Sequence, residues 1–293
     1  MPTTDFSDDR YSDFEARFDP YQTDRKARRK RNPAASRKAR GFQQTVDETA
    51  QSEKLDLSVH TTYRPGRFET GWLLEAVQDF FDQALVVDIL SNVKGGKEAN
   101  VYCCQAHPAT GRGLLAAKVY RPRMFRNLRN DAIYREGRET LTADETPVKT
   151  TDHRIMRALN KKTDYGQAVA HTSWLMHEFT ALKSLWEAGV SVPEPVAVSG
   201  NAILMGFIGD ASFAAPPLES VELDADEAEA VFQQVIGDIE TMLQLGLIHG
   251  DLSAYNLLFW EGRATIIDFP QVVRSTSNRT ARLILRKCRS LRP

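Results

Sequence analysis

Cysteine is scarce, with three in 293 residues: the adjacent Cys103 and Cys104 and the distant Cys288. That set has neither metal-ligand spacing nor the even count of a disulfide framework, which excludes a disulfide-stapled fold and a zinc ribbon. The three read as small hydrophobes in a reducing compartment. Long apolar runs are missing too. The longest, around Phe80–Leu90, is interrupted by Asp82, Gln83 and Asp88, and the opening MPTTDFSDDR lacks the apolar core of a secretory signal. No membrane span is expected, and the expected location is cytoplasmic. No internal repeat is present, which excludes a solenoid. A net charge is absent as well: 38 Lys and Arg against 39 Asp and Glu give −1, which points to no partner.

The distribution of charge says more than its sum. Residues 1–24 carry 7 acidic and 2 basic side chains, residues 25–40 carry 9 basic and no acidic, and residues 271–293 carry 7 basic and no acidic. The intervening 230 residues have a net charge of −12, so both basic segments are appended to an acidic body. Up to about Arg67 the chain is rich in charge, poor in aliphatic residues and without helical or strand period. Residues 1–67 therefore read as a disordered arm, because so little apolar surface cannot offset the entropy of ordering. Its segment 25–40 suits contact with RNA phosphates through counterion release, and equally suits a solvated tail.

From Glu69 the spacing of Trp72, Leu73, Val77, Phe80 and Phe81 predicts a helix ending near Gln83, with Thr70 as its N-cap. Three β-rich runs follow, VVDILSNV, ANVYCCQA and LLAAKVY, separated by turn material, which predicts an antiparallel meander. The charged stretch from Arg121 to about Thr151 reads as a mobile loop. HTSWLMHEFTALKSLWEAG predicts a helix stopped by Gly189, VPEPVAVSGNAILMGF two more strands, and DADEAEAVFQQVIGDIETMLQLG a helix capped by Asp224 and stopped by Gly246. A hairpin, NLLFW-EGR-ATIIDF, turns at Gly262. The expectation is an α+β protein in two lobes, the first over about 68–205 and the second over about 206–293.

The chemical signal is concentrated late in the chain. His249-Gly250-Asp251 is followed by Asn256 five residues after the aspartate, and then by Asp268-Phe269 at the end of the hairpin. This is the H-x-D-x-x-x-x-N plus D-F constellation of phosphoryl transfer. Such transfer needs a base to orient the acceptor, a role that suits Asp251, and hard oxygen ligands for Mg2+, a role that suits Asn256 and Asp268. His249 is expected to brace the turn by hydrogen bonds. Upstream, Lys118 lies in an apolar strand where a charge needs partners; phosphates and Glu178 on the long helix would supply them. NVKGGKEANVY offers a glycine turn with Lys94 and Lys97 placed for phosphates. It keeps Gly96 and Val101 of G-x-G-x-x-G-x-V but puts Lys94 and Ala99 at the outer glycine positions, and it is no Walker A loop.

Together these residues resemble the RIO family of atypical protein kinases, over roughly residues 70–285. GKEANVY at 96–102, AAKVYR at 116–121, LMGFIGD at 204–210, HGDLSAYN at 249–256 and IIDFPQ at 266–271 all look like family blocks in the family's order. The resemblance implies a two-lobed protein-kinase-like fold, trimmed of the subdomain that docks peptide substrates, with ATP between the lobes. Lys97, Val101 and Lys118 would then contact the nucleotide and Glu178 would pair with Lys118. Met205 would guard the pocket, and the backbones of Gly206 and Ile208 would meet adenine. Asp251 would be catalytic, and Asn256 and Asp268 would hold Mg2+. It also implies an ATPase switch with serine autophosphorylation, in which Asp268 can itself accept phosphate. In its better-known branches the family serves small-ribosomal-subunit maturation, which residues 25–40 would suit by contacting ribosomal RNA.

Proline at 270, where most kinases have glycine, holds φ near −65° and argues against a swinging activation loop. Only 23 residues follow it, and the end of the chain lacks the acidic residues of the family's final helix, so the second lobe reads as cut short. Two other readings remain open at this point. A small-molecule phosphotransferase of the aminoglycoside or choline type shares HGD, Asn and D-F, but not GKEANVY or DFPQ. A non-catalytic assembly factor that binds RNA and senses nucleotide would not need the full set of catalytic side chains.

Overall fold

The fold is read from a computed structural model that describes residues 61–96, 99–121, 138–149, 151–161 and 163–275. The basic segment 25–40, Lys97, Cys288 and the greater part of the expected loop, 122–137, lie outside these residues. All that is described falls within one compact unit, Leu57–Pro293.

Helix α1 (Arg67–Asp82) starts the fold. Its cap is not Thr70: Gly66 is the N-cap, and the Thr70 hydroxyl donates to the Gly66 carbonyl at 3.1 Å. Thr70 lies one turn inside the helix and serves a carbonyl, not an orphan N–H. Residues 61–66, within the stretch expected to be an arm, already join the fold, with the Tyr63 N–H donating to the Ile89 carbonyl at 2.8 Å. The meander is present as β1 (Val86–Gly95), β2 (Ala99–Ala106) and β3 (Leu114–Tyr120), all antiparallel. The hairpin of β4 (Pro195–Ser199) and β5 (Ala202–Gly206) adds itself through β5, giving the order β1-β2-β3-β5-β4.

Strand alternation divides this sheet into two faces. Leu115, Ala117 and Val119 of β3, with Tyr102, Cys104 and Leu204, form one core with α1. Ala116, Lys118 and Tyr120 point the other way, where Tyr120 and Ile203 pack on Trp174, Leu175 and Phe179 of helix α3 (Asp164–Glu187). This helix starts seven residues earlier than its apolar pattern suggests, because Thr163 caps it by accepting from the Gly166 N–H at 3.1 Å.

The segment read as a mobile loop is packed where it is described. Arg138 donates to the carbonyls of Pro270 and Val272 at 3.0 and 2.5 Å, and the buried Leu141 donates its N–H to Ser173 Oγ at 2.9 Å. A short helix that the periodicity did not announce, α2 (His153–Lys161), follows, with Asp152 accepting from the Ile155 N–H.

Helix α4 (Ala225–Gln244) begins as expected at Asp224, which accepts from the Glu227 N–H while Glu227 reaches back to the Asp224 N–H. It packs its Val231, Val235 and Met242 on the end of α3 and on a second set of short strands. These are β6 (Leu247–Ile248), the hairpin of β7 (Leu257–Trp260) and β8 (Arg263–Ile266), and β9 (Val273–Arg274), which pairs with β6. Cys103 and Cys104 are buried free thiols, and burial raises the pKa of both. Among the described residues no helix is long and apolar enough to cross a membrane.

Candidate functional site

The hairpin decides where the late motif ends up. Its two-residue turn, Glu261-Gly262, has both φ angles positive, which suits the twist of the flanking strands and sets Leu257 opposite Ile266. One step further the Ile267 N–H donates to the Asn256 carbonyl at 3.0 Å. Asn256 and Asp268 therefore leave the hairpin at the same open end.

His249 ties the preceding turn to that end. Its Nε2 donates to the Ile267 carbonyl at 2.9 Å, its Nδ1 accepts the Asp251 N–H at 3.3 Å, and its ring lies 4.9 Å from that of Phe269. Both nitrogens are thus used by a neutral ring, and burial lowers its pKa. Gly250 has φ +86, and a Cβ there would sit 2.4 Å from the Gln271 carbonyl oxygen. Only glycine lets the HGD and DFPQ turns approach this closely. Asp251 is oriented by Asn256, whose Nδ2 donates to its carbonyl at 2.8 Å. Burial raises the Asp251 pKa, and the Asp268 charge raises it further.

Lys118 joins these turns to the sheet. Its Nζ donates to Glu178 Oε1 at 2.6 Å and to Asp268 Oδ1 at 2.5 Å. Its side chain is 12% exposed and that of Glu178 4%, whereas Asp268 keeps 44% open to solvent. Burial works against the Lys118 charge, but the two carboxylates override it and raise its pKa. Burial likewise opposes the Asp268 charge, and the Lys118 ammonium beside it reverses that effect and lowers its pKa. Asp268 also sits at φ +71, a left-handed conformation that strains a non-glycine residue and tends to persist at functional sites.

Sequence reasoning missed three contributors. The Tyr120 hydroxyl donates to Glu178 Oε2, so both oxygens of the buried carboxylate are held, and its ring packs edge-on against Trp174 at 4.7 Å. A signal was there to be read: Tyr120 is two residues after Lys118 and so on the same strand face. Arg138, which binds the carbonyls after Asp268, carried no such signal. Tyr255, whose ring lies under the Lys94 ammonium, was quoted only as part of a motif.

The other expected residues lie around this cluster. Val101 pairs directly with Lys118 across β2 and β3, and Met205 with Ala116 across β5 and β3. Past β5, the Gly206 N–H donates to the Glu194 carbonyl and the Ile208 carbonyl accepts the Ala215 N–H, which fixes the linker between the sheet and the second part. Among the described residues no cluster of three or more His, Cys, Asp or Glu could hold a metal ion. The Asn256 amide oxygen and the Asp268 carboxylate are both hard ligands, a pair that fits Mg2+ when phosphate oxygens and water complete its shell.

Comparison with known proteins places the chain. The RIO domain model matches residues 101–292. The serine/threonine-protein kinase RIO1 of Chaetomium thermophilum is 30% identical over 208 residues, covering 67% of this chain and 37% of that protein. The RIO-type serine/threonine-protein kinase Rio1 of Haloferax volcanii is 29% identical over 199 residues, covering 68% and 60%. Human serine/threonine-protein kinase RIO1 is 26% identical over 208 residues, covering 70% and 33%. The chain thus spans between 33% and 60% of the length of these curated relatives. Among solved structures, the Rio2 kinase-ADP/Mg2+-phosphoaspartate complex from Chaetomium thermophilum aligns with a TM-score of 0.51 at 20% identity, over 85% of this chain and 67% of that one. That likeness is one of fold, and the fold is kinase-like. With the family model matching from the middle of β2 onward, and so taking in Lys118, Glu178 and the whole late motif, the chain belongs to the RIO family.

Proposed function

We propose that this protein is a Mg2+-dependent ATPase and serine/threonine kinase of the RIO type, acting on itself or on a protein substrate. The observation that carries the reading is Lys118, held between Glu178 and Asp268 at the mouth where Asp251 also lies. An ammonium so placed can take the phosphates of a nucleotide while Glu178, fixed by Tyr120, keeps it aimed. A base held at the linker would use the groups that the linker's own bonds leave over, the Gly206 carbonyl and the Ile208 N–H. Asn256 and Asp268 would hold the metal, which when bound neutralises charge on the phosphates. Asp251, with its raised pKa, is suited to accept the proton of an incoming hydroxyl.

The exposed Asp268 offers a second acceptor. In this reading its carboxylate oxygen attacks the γ-phosphorus, ADP leaves, and water later releases phosphate from the acyl phosphate. The solved relative with phosphoaspartate in its title supports that route. The nine basic side chains of residues 25–40 suit a phosphate-rich partner such as ribosomal RNA, with affinity that falls steeply with salt.

The test is turnover of γ-labelled ATP with Mg2+ by the wild type and by Asp251→Asn. Wild-type label should go to serine, to an acyl bond that hydroxylamine cleaves, or to free phosphate. Asp251→Asn should lose about 10²–10⁴-fold in rate while still binding ADP. Equal turnover by the two proteins would remove Asp251 from the site.

A further inference from the structure

The strand register places two lysines in one row. Lys94 of β1 pairs with Val101 of β2, and Val101 pairs with Lys118 of β3. Directly paired residues point to the same side of a sheet, so both ammonium groups project from the face that carries Lys118 to Asp268. Two strand spacings separate them, roughly 10 Å between backbones. Lys118 is committed to Glu178 and Asp268. The Lys94 Nζ instead lies 3.8 Å from the centroid of the Tyr255 ring. Tyr255 belongs to the short helical turn Ala254–Asn256, between Asp251 and the Asn256 that orients it. The contact therefore runs from the sheet to the motif turn, across the opening of the cleft.

We propose that Lys94 reads the terminal phosphate of the nucleotide, and that Tyr255 is the place where its ammonium rests until that phosphate arrives. The inference rests on the cleft being a nucleotide site and adds what distinguishes tri- from diphosphate. Three observations support it. Lys94 and Lys118 stand at opposite ends of one row, so a polyphosphate held at Lys118 extends toward Lys94. The Lys94 charge already acts on Asp268, lowering its pKa alongside Lys118. A cation over an aromatic face is held weakly enough to leave, since a phosphate offers a full negative charge where the ring offers only its quadrupole. A triphosphate would then draw Lys94 off Tyr255, while a diphosphate would leave it there.

The test is the binding of ATP (as its non-hydrolysable analogue) and of ADP, each with Mg2+, measured calorimetrically on the full chain, its Lys94→Met and its Tyr255→Leu variants. Lys94→Met should weaken the triphosphate at least about tenfold, the effect of losing a charge-assisted bond, and change ADP affinity less than about twofold. Tyr255→Leu should tighten the triphosphate about two- to fivefold, because nothing has to be vacated, and leave ADP unchanged. Equal losses for both nucleotides in Lys94→Met, or none, would overturn the assignment of Lys94. An unchanged triphosphate affinity in Tyr255→Leu would overturn the resting place. A wild type that binds neither nucleotide would sink the reading of the cleft itself, a result separate from the other two.

Discussion

Replacing Tyr120 with phenylalanine removes one oxygen and leaves the shape of the core as it was. The ring is 1% exposed and stays against Trp174, so no cavity opens. What is lost is the donor to Glu178 Oε2. Glu178 is itself 4% exposed, so water does not readily replace that bond. Lys118 still neutralises the carboxylate through Oε1, which keeps the loss well below that of stranding a whole buried charge. A hydrogen bond to a charged group contributes about 1.5–3 kcal/mol, and Tyr120→Phe should cost that much. At about 2–4 °C per kcal/mol for a folded unit of this size, the melting temperature should fall by about 3–12 °C. Urea unfolding of the full chain gives the free energy, and a double-mutant cycle with Glu178→Gln isolates the pair. The coupling should fall between about 0.5 and 3 kcal/mol. A Tyr120→Phe variant within about 0.5 kcal/mol of wild type, or a cycle that is simply additive, would refute the argument that this hydroxyl holds Glu178.

Two further predictions concern the motif turn. Gly250→Ala should cost about 1–2 kcal/mol for its left-handed backbone alone. Its new Cβ would also push Gln271 and the adjoining Asp268-Phe269-Pro270 turn outward, so turnover measured well below the melting temperature should fall by more than the unfolded fraction explains. His249 should make stability depend on pH. Its pKa is lowered in the folded state by burial, so the unfolded chain binds its proton first as pH falls; the contribution is complete above pH 6.5 and shrinks as the pH drops toward the folded value. Urea midpoints at pH 7.5 and 5.5 should show the loss, and a His249 ring resonance titrating at or above 6.5 would contradict it.

Much of this protein was determined by local sequence. The period of two in LLAAKVY set a strand with Lys118 and Tyr120 on one face, and Glu261-Gly262 set a hairpin whose register brings Asn256 and Asp268 to one end. The spacing of Asp251, Asn256 and Asp268 carried the chemistry, because the turn and hairpin between them are rigid enough to turn spacing into position. Helix starts were less legible where the cap was glycine, as at Gly66, or lay ahead of the apolar period, as at Thr163. Contacts across long separations were not legible at all. The chain of Tyr120, Glu178, Lys118 and Asp268 spans about 150 residues, and Arg138 reaches Pro270 over 132. Charge and periodicity say that a buried lysine needs an anion, but only packing in three dimensions decides which carboxylate it finds. The same holds for Lys94: its sequence neighbours suggest phosphate, and only the register of three strands and the approach of Tyr255 show where its charge rests.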